Sequence, residues 1–233
     1  NTAKIASLVL KSSVFNTNIA SNNGGAVYID IAKVTISKST FGTVNDVNSS
    51  NEAINGGAIY NSENNINNKV AISSSKFYNN EAYEKGGAIY NAGLMTDSGS
   101  LFQDNEAING GAIYNAVNSD LRLTKSSFTS NSAENGGAIY NNGYMVTYDK
   151  KNNVTGGINS AKFTSNNANL GGAVYNGEKG FIGISKSSFV GNTAEKGGAI
   201  YNKGDSTVLS STFVNNIATS TKDSSELIIN GDG

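Results

Sequence analysis

The amino-acid sequence predicts an all-β fold, a right-handed parallel β-helix of about eight rungs with about 25 residues each. Three observations predict it. The run Gly-Gly-Ala-(Ile/Val)-Tyr occurs seven times, starting at Gly24, Gly56, Gly86, Gly110, Gly136, Gly171 and Gly197. A second motif, Phe-x-x-Asn, alternates with it at Phe15/Asn18, Phe77/Asn80, Phe102/Asn105, Phe128/Asn131, Phe163/Asn166, Phe189/Asn192 and Phe213/Asn216. Upstream of the second motif stand aliphatic pairs spaced two residues apart. Repetition at this period marks a solenoid, in which each unit buries its apolar positions against the same positions above and below.

Each rung opens on the aliphatic pair: Leu8/Leu10, Val34/Ile36, Val70/Ile72, Leu121/Leu123 and Ile182/Ile184. A spacing of two is strand periodicity with one face buried. Ser, or Ala161 once, stands two residues before each motif Phe and is small enough to leave it room. The phenylalanines are placed inward, ring on ring. Phe41 opens a degenerate copy with Val44 at the Asn position, and Asn51 resumes the pattern after an insertion. Successive motif phenylalanines are 26, 36, 25, 26, 35, 26 and 24 residues apart, so two rungs are enlarged.

The motif Asn is read as a left-handed turn residue, followed two positions later by Ala. Asn repeated at one position can also form an amide ladder, whereas stacked carboxylates about 5 Å apart would repel. In the Gly-Gly-Ala-Ile-Tyr-Asn segment, Ile or Val is placed inward and Tyr outward, because a buried hydroxyl needs a partner on every rung. The Asn after Tyr falls at the next turn, and the Gly pair supplies either positive φ or room for close backbone approach. Three strands per rung result. At about 4.8 Å per rung the stack would be roughly 38 Å long. The absence of Pro fits a stack in which nearly every strand is paired on both sides.

Composition bounds the chemistry. Among 233 residues there is no Cys, His or Trp and one arginine, Arg122. Disulfides, thiolate nucleophiles, Ser-His-Asp triads and Cys/His zinc sites are therefore excluded. A net charge of −1 makes nucleic acid an unsuitable partner. Polysaccharide-acting β-helix enzymes need converging carboxylates. Here Glu52, Glu81, Glu106, Glu134 and Glu195 are spread about one to a rung. No catalytic, metal-binding or cofactor-binding residue is assigned, and the chain is not expected to be an enzyme.

Gly-Gly-Ala-(Ile/Val) alternating with Phe-x-x-Asn resembles the repeats of the chlamydial polymorphic outer membrane proteins and related adhesin-like surface proteins, from Phe15 to Ala218. The resemblance implies a secreted β-helical passenger, displayed at the cell surface and used in attachment. In that family the repeats precede an autotransporter β-barrel and often contain cysteine, which this chain lacks. The chain reads as one repeat domain over 1–233, a piece of a larger surface protein, not itself inserted in a membrane. Insertions fall near 42–50, 61–69 and 141–157.

Binding is expected on irregular loops, which a rigid scaffold positions. The candidates are Tyr144, Tyr148, Asp149, Lys150 and Lys151, together with an outer stripe of Tyr60, Tyr90, Tyr114 and Tyr140. The expected partner is a protein or glycan on a host or neighbouring cell. A pure stalk or spacer is the alternative. The chain is expected to be monomeric, with end-to-end association open to its strand-bearing ends and residues 219–233 as a partial cap. Asn48 and Asn153 open glycosylation sequons.

Overall fold

The computed structural model describes residues 6–30, 32–44, 46–65, 69–151, 153–220 and 228–229. Parts of the three insertions (45, 66–68 and 152) and most of the expected cap (221–227 and 230–233) lie outside the described residues. The chain is a parallel β-helix of about eight turns. Its strands stack into four sheets running along the axis, so a complete turn has four short strands rather than the three expected. We name the faces by their residues.

The aliphatic face carries strands such as Asp120–Thr124, the phenylalanine face Ser127–Thr129, the alanine face Ser132–Asn135 and the tyrosine face Ile139–Asn141. The segment after the motif Asn, read as a turn, is this third strand. Registers align equivalent residues: Phe102 with Phe77 and Phe128, Tyr114 with Tyr90 and Tyr140. Among the described strands of the four sheets the exception to parallel pairing is Ile228–Ile229, which lies antiparallel to the last strand of the tyrosine face, Ile200–Asn202.

The core sits between the aliphatic, phenylalanine and tyrosine faces. Phe41, Phe77, Phe102, Phe128, Phe163 and Phe189 are fully buried, and their rings stack at 4.6–4.9 Å. The inward Ile59, Ile89, Ile113 and Ile139 meet them, as the sequence predicts. Ala53, Ala82, Ala107, Ala168 and Ala194 of the third strand are buried and Ala133 is half-buried, but all lie outside this apolar cluster. The glycine pair explains why. A Cβ on Gly111 would lie 2.2 Å from the Gly137 carbonyl oxygen and 2.4 Å from that of Ser132. Backbone of the third strand therefore presses directly on the second glycine, and no side chain fits between them. The first glycine has φ of 62–68° throughout, so each member of the pair answers one of the two needs proposed for it.

The motif Asn is not the left-handed residue, and this corrects the sequence reading at Asn80, Asn105, Asn131, Asn166 and Asn192. None of the five has positive φ. The residue before each does: Asn79, Asp104, Ser130, Ser165 and Gly191, and likewise Asn215 before Asn216. The physical reason is burial. Asn80, Asn105, Asn131, Asn166 and Asn192 are fully buried, with their amides turned inward, so the less buried residue ahead of each takes the corner.

The inward amides form a ladder. Asn131 Oδ1 accepts from Asn105 Nδ2 (2.9 Å) and from its backbone N–H (3.1 Å). Asn131 Nδ2 donates to Asn166 Oδ1 (2.9 Å) and to the Phe102 carbonyl (3.0 Å). Asn80 donates to Asn105 and Asn166 to Asn192 in the same way, each at 2.9 Å. The amide is used at all four positions, which a carboxylate cannot match because it does not donate. The ladder runs from Asn18 to Asn216 and passes through Asn51, as expected for the degenerate copy. A second ladder links Asn61, Asn91, Asn115, Asn141, Asn176 and Asn202 at 2.7–2.8 Å.

Candidate functional site

On the aliphatic face one turn is broken. Its strand begins at Tyr144–Met145, leaves the sheet, and returns as Ile158–Asn159. Tyr144 aligns with Asp120, and Ile158 and Asn159 align with Leu123 and Thr124. Beside Arg122 on that turn stands Gly157, its carbonyl accepting from the Leu123 N–H at 2.8 Å, and the insertion that ends on Gly157 rises there as a hairpin, 146–157.

The hairpin is tied by Tyr148 pairing antiparallel with Val154, and by backbone bonds from Thr155 to Thr147 (2.7 Å) and from Asp149 to Asn153 (2.9 Å). Glycines seat it. The legs meet at Gly157, where a Cβ would lie 2.0 Å from the Met145 carbonyl. On the next turn a Cβ at Gly183 would lie 2.7 Å from a methyl of Val154. The insertion is therefore fitted to its neighbours.

The expected binding residues occupy different roles in it. Tyr144 and Tyr148 are 43% and 56% exposed. Asp149 is turned into the tip, where its carboxylate accepts from the backbone of Lys151 (2.7 Å) and Asn153 (2.9 Å) and from the Asn153 amide (3.0 Å). Those bonds hold its carboxyl below the usual range. Asp149 thus shapes the turn, while Lys150 and Lys151 are open to solvent beside it. Asn153 and Asn48 are both exposed.

Several residues of this region were not singled out for binding in the sequence. Phe181, the one phenylalanine outside the motif, stacks on Tyr144 at 5.5 Å and is 38% exposed. Arg122 is held by Asp120, with Nε at 3.2 Å and Nη2 at 2.7 Å from the two carboxylate oxygens. A cleft of about 660 Å³ is lined by Asp120, Arg122, Tyr144, Val146, Thr147 and Tyr148. Across Arg122 and Thr147 a second cleft of about 310 Å³ continues over Thr96, Ser98, Thr124 and Asn159.

Asp97 lies at the floor of that second cleft. Its column is otherwise aliphatic: Ile72 before it and Leu123 after it. Burial pushes its carboxyl from 3.8 up to about 6, against hydrogen bonds from Ser100 and Ser126, both 2.5 Å. The signal in the sequence was the lapse of the aliphatic pair at Met95/Asp97.

The tyrosine stripe has a different character. Tyr28, Tyr60, Tyr90, Tyr114, Tyr140, Tyr175 and Tyr201 stack on one another at 4.6–5.3 Å. Tyr60, Tyr175 and Tyr201 are buried, Tyr90, Tyr114 and Tyr140 are half-buried, and Tyr28 at one end is exposed. The rings cover each other's faces. On the alanine face Glu52, Glu81 and Glu106 stand in register, and burial together with the like charges raises the Glu81 carboxyl. Among the described residues no group of three or more acidic side chains is placed to hold a metal ion, and no helix is long and apolar enough to cross a membrane.

The Chlamydia polymorphic membrane protein repeat matches residues 12–30, 74–92, 99–116, 125–142 and 186–203. No curated protein and no solved structure matches the chain. Each matched segment covers the phenylalanine and tyrosine strands of a turn, with the alanine strand between them in all but the first, and stops short of the aliphatic strand, the face that carries the hairpin. With these five copies, the chain belongs to the family of proteins built on the Chlamydia polymorphic membrane protein repeat, a family of surface-exposed, adhesin-like proteins.

Proposed function

We propose that this chain is the attachment module of a displayed surface protein, and that the hairpin 146–157 on the aliphatic face makes the contact. The observation that carries the reading is the seating of the hairpin. Gly157 and Gly183 leave the space it fills, and it carries exposed Tyr148 beside exposed Tyr144 and Arg122. An insertion tolerated without use would need no such fit in the following turn. The partner is a molecule on a host or neighbouring cell, and the repeat stack holds the contact away from the displaying surface.

The test uses fluorescent beads coated with the purified chain and an epithelial cell layer. Attachment is expected, with a loss of most of it when the hairpin is removed. Equal attachment of the two forms refutes a contact through the hairpin. Absence of attachment by either form favours the spacer reading, which the unbroken Asn ladders support by making the stack stiff along its axis.

A further inference from the structure

We infer that the two clefts flanking Arg122 form a binding site for a neutral saccharide of about two sugar units. This inference rests on the attachment reading above and names the ligand class at the same site.

The larger cleft offers the chemistry that recognises a sugar ring. A pyranose has an apolar C–H face and a rim of vicinal hydroxyls. Tyr144 supplies a partly open aromatic surface, extended by Phe181 behind it and joined by Tyr148 from the hairpin. Aromatic rings with one wet edge suit such amphipathic partners. Asp120 and Arg122 form a planar pair beside the rings, held by two hydrogen bonds. Asp120 takes two of the five guanidinium N–H groups, so three remain as donors, and the carboxylate retains acceptor positions. Adjacent donors and acceptors in one plane match vicinal hydroxyls.

The smaller cleft continues the site with different chemistry. Its lining side chains include the hydroxyls of Thr96, Ser98 and Thr124 and the amide of Asn159. Such a surface forms hydrogen bonds and gives little apolar attraction. An aromatic subsite followed by a hydroxyl-lined one accommodates a stacked sugar and its hydrogen-bonded neighbour. The larger volume, about 660 Å³, lies within the range of small-molecule sites.

Charge and topology narrow the class. The guanidinium charge is already matched by Asp120, so an acidic sugar finds no surplus cation there. Peptide addition to a sheet edge is disfavoured because the strands beside the hairpin are paired on both sides within the stack. A helical peptide would need an apolar groove, whereas this floor is Thr, Ser, Asn, Asp, Gly and Arg.

Saturation-transfer NMR on the purified chain tests the inference with lactose, maltose, mannobiose and chitobiose as neutral probes, and 3′-sialyllactose and digalacturonate as acidic ones. Transfer to the ring protons of at least one neutral disaccharide is expected. Its affinity should fall at least five-fold in Tyr144→Ala and in Arg122→Met, and stay unchanged in Tyr28→Ala, at the exposed end of the tyrosine stack. No transfer to any neutral disaccharide, or transfer indifferent to Tyr144 and Arg122, overturns the inference. Preferential transfer to the acidic probes overturns its neutral class.

The cell assay separates the two readings. Hairpin-dependent attachment that survives periodate oxidation of cell glycans, with no disaccharide bound, leaves attachment standing and removes the saccharide. Disaccharide binding without cell attachment does the reverse.

Discussion

Two turns of the stack show two ways of using the same repeat. The turn from Asp120 to Asn141 is regular: its aliphatic strand is continuous, and Leu121, Leu123 and Phe128 are fully buried. The turn that follows opens its aliphatic strand between Met145 and Ile158 and raises a hairpin through the gap. Yet its Phe163 and Asn166 occupy the same positions in the phenylalanine stack and Asn ladder as Phe128 and Asn131. Three faces close each turn and keep its registers, so the fourth can be interrupted without disturbing the ladders. Loop insertion has a small closure cost when its ends are already held together. Stability should therefore reside in the repeat positions, and little of it in the hairpin.

The strongest way to break that division is to strike the ladders. Phe128→Ala removes a ring stacked on both sides and should cost about 3–5 kcal/mol. Asn131→Asp should cost a similar amount. The new oxygen would face the Asn166 Oδ1 and the Phe102 carbonyl, leaving a buried charge without a donor there. Chemical denaturation reads both. A loss below about 1 kcal/mol in either would show that neighbouring turns compensate and that the ladders are not the seat of stability.

Asp97 offers a substitution of opposite sign. Its carboxyl is raised by burial from 3.8 to about 6. With the folded value above the unfolded one, its contribution is full below about pH 3.8 and is lost as pH rises through about 6. The loss at pH 7 is on the order of 3 kcal/mol, from about 1.4 kcal/mol per pKa unit. Asp97→Leu restores the aliphatic column between Ile72 and Leu123. The freed serines have a ready alternative, since Ser75 and Ser187 donate to the carbonyl two residues before them. The variant should be about 1–3 kcal/mol more stable at pH 7 and should lose the slope between pH 4 and 6. A variant less stable at pH 7 would mean that the carboxylate organises Ser100 and Ser126 in a way an aliphatic side chain cannot replace.

Tyr140→Ala sharpens the comparison within the regular part. The ring is half-buried and stacks on Tyr114 and Tyr175 at 5.0 and 4.6 Å. Its removal should cost about 1–2 kcal/mol, clearly less than Phe128→Ala. Equal costs would show that the tyrosine stack is a second core.

What the sequence disclosed follows the same division. Phe, Ile and Asn recur because each meets its own kind on the next turn, and repetition is visible in a sequence. Asn51 could be assigned across an insertion for that reason. The third strand was missed because no alternating apolar pattern makes it; the closeness of backbone to Gly111 and its equivalents does. The left-handed corner ahead of Asn80, Asn192 and their equivalents was misplaced by one residue because it leaves no fixed residue type. It accepts Asn, Asp, Ser, Thr or Gly, since nothing crowds a Cβ there: at Gly191 the nearest atom is 3.8 Å away. The corner at the first glycine of the pair is crowded, with the Ile113 carbonyl oxygen 2.2 Å from a Cβ at Gly110, and only there is the residue fixed. Tyr144 and Tyr148 stood out because they fall in an insertion. Arg122, Asp120 and Phe181 belong to neither repeated motif and join them only through register.

The smallest effect on stability is expected from removing the hairpin, and register dictates how to do it. Asp120 aligns with Tyr144, which puts Met145 beside Leu121, and Leu123 aligns with Ile158. One position is left to bridge, opposite Arg122. Replacing residues 146–157 with a single Thr makes a strand of ordinary length. It also shortens the Phe128–Phe163 spacing from 35 to 24, the value found between Phe189 and Phe213. Closing the strand removes the ordering cost of the loop at a ladder position that Gly157 already holds, its carbonyl accepting from the Leu123 N–H at 2.8 Å, and loses the packing of Val154 on Gly183. These opposing changes should leave stability within about 1 kcal/mol of the parent. Denaturation midpoints that fall much further would make the hairpin part of the fold. If they hold while attachment disappears, the contact belongs to an element the stack does not need, as the open strand and the intact ladders of that turn imply.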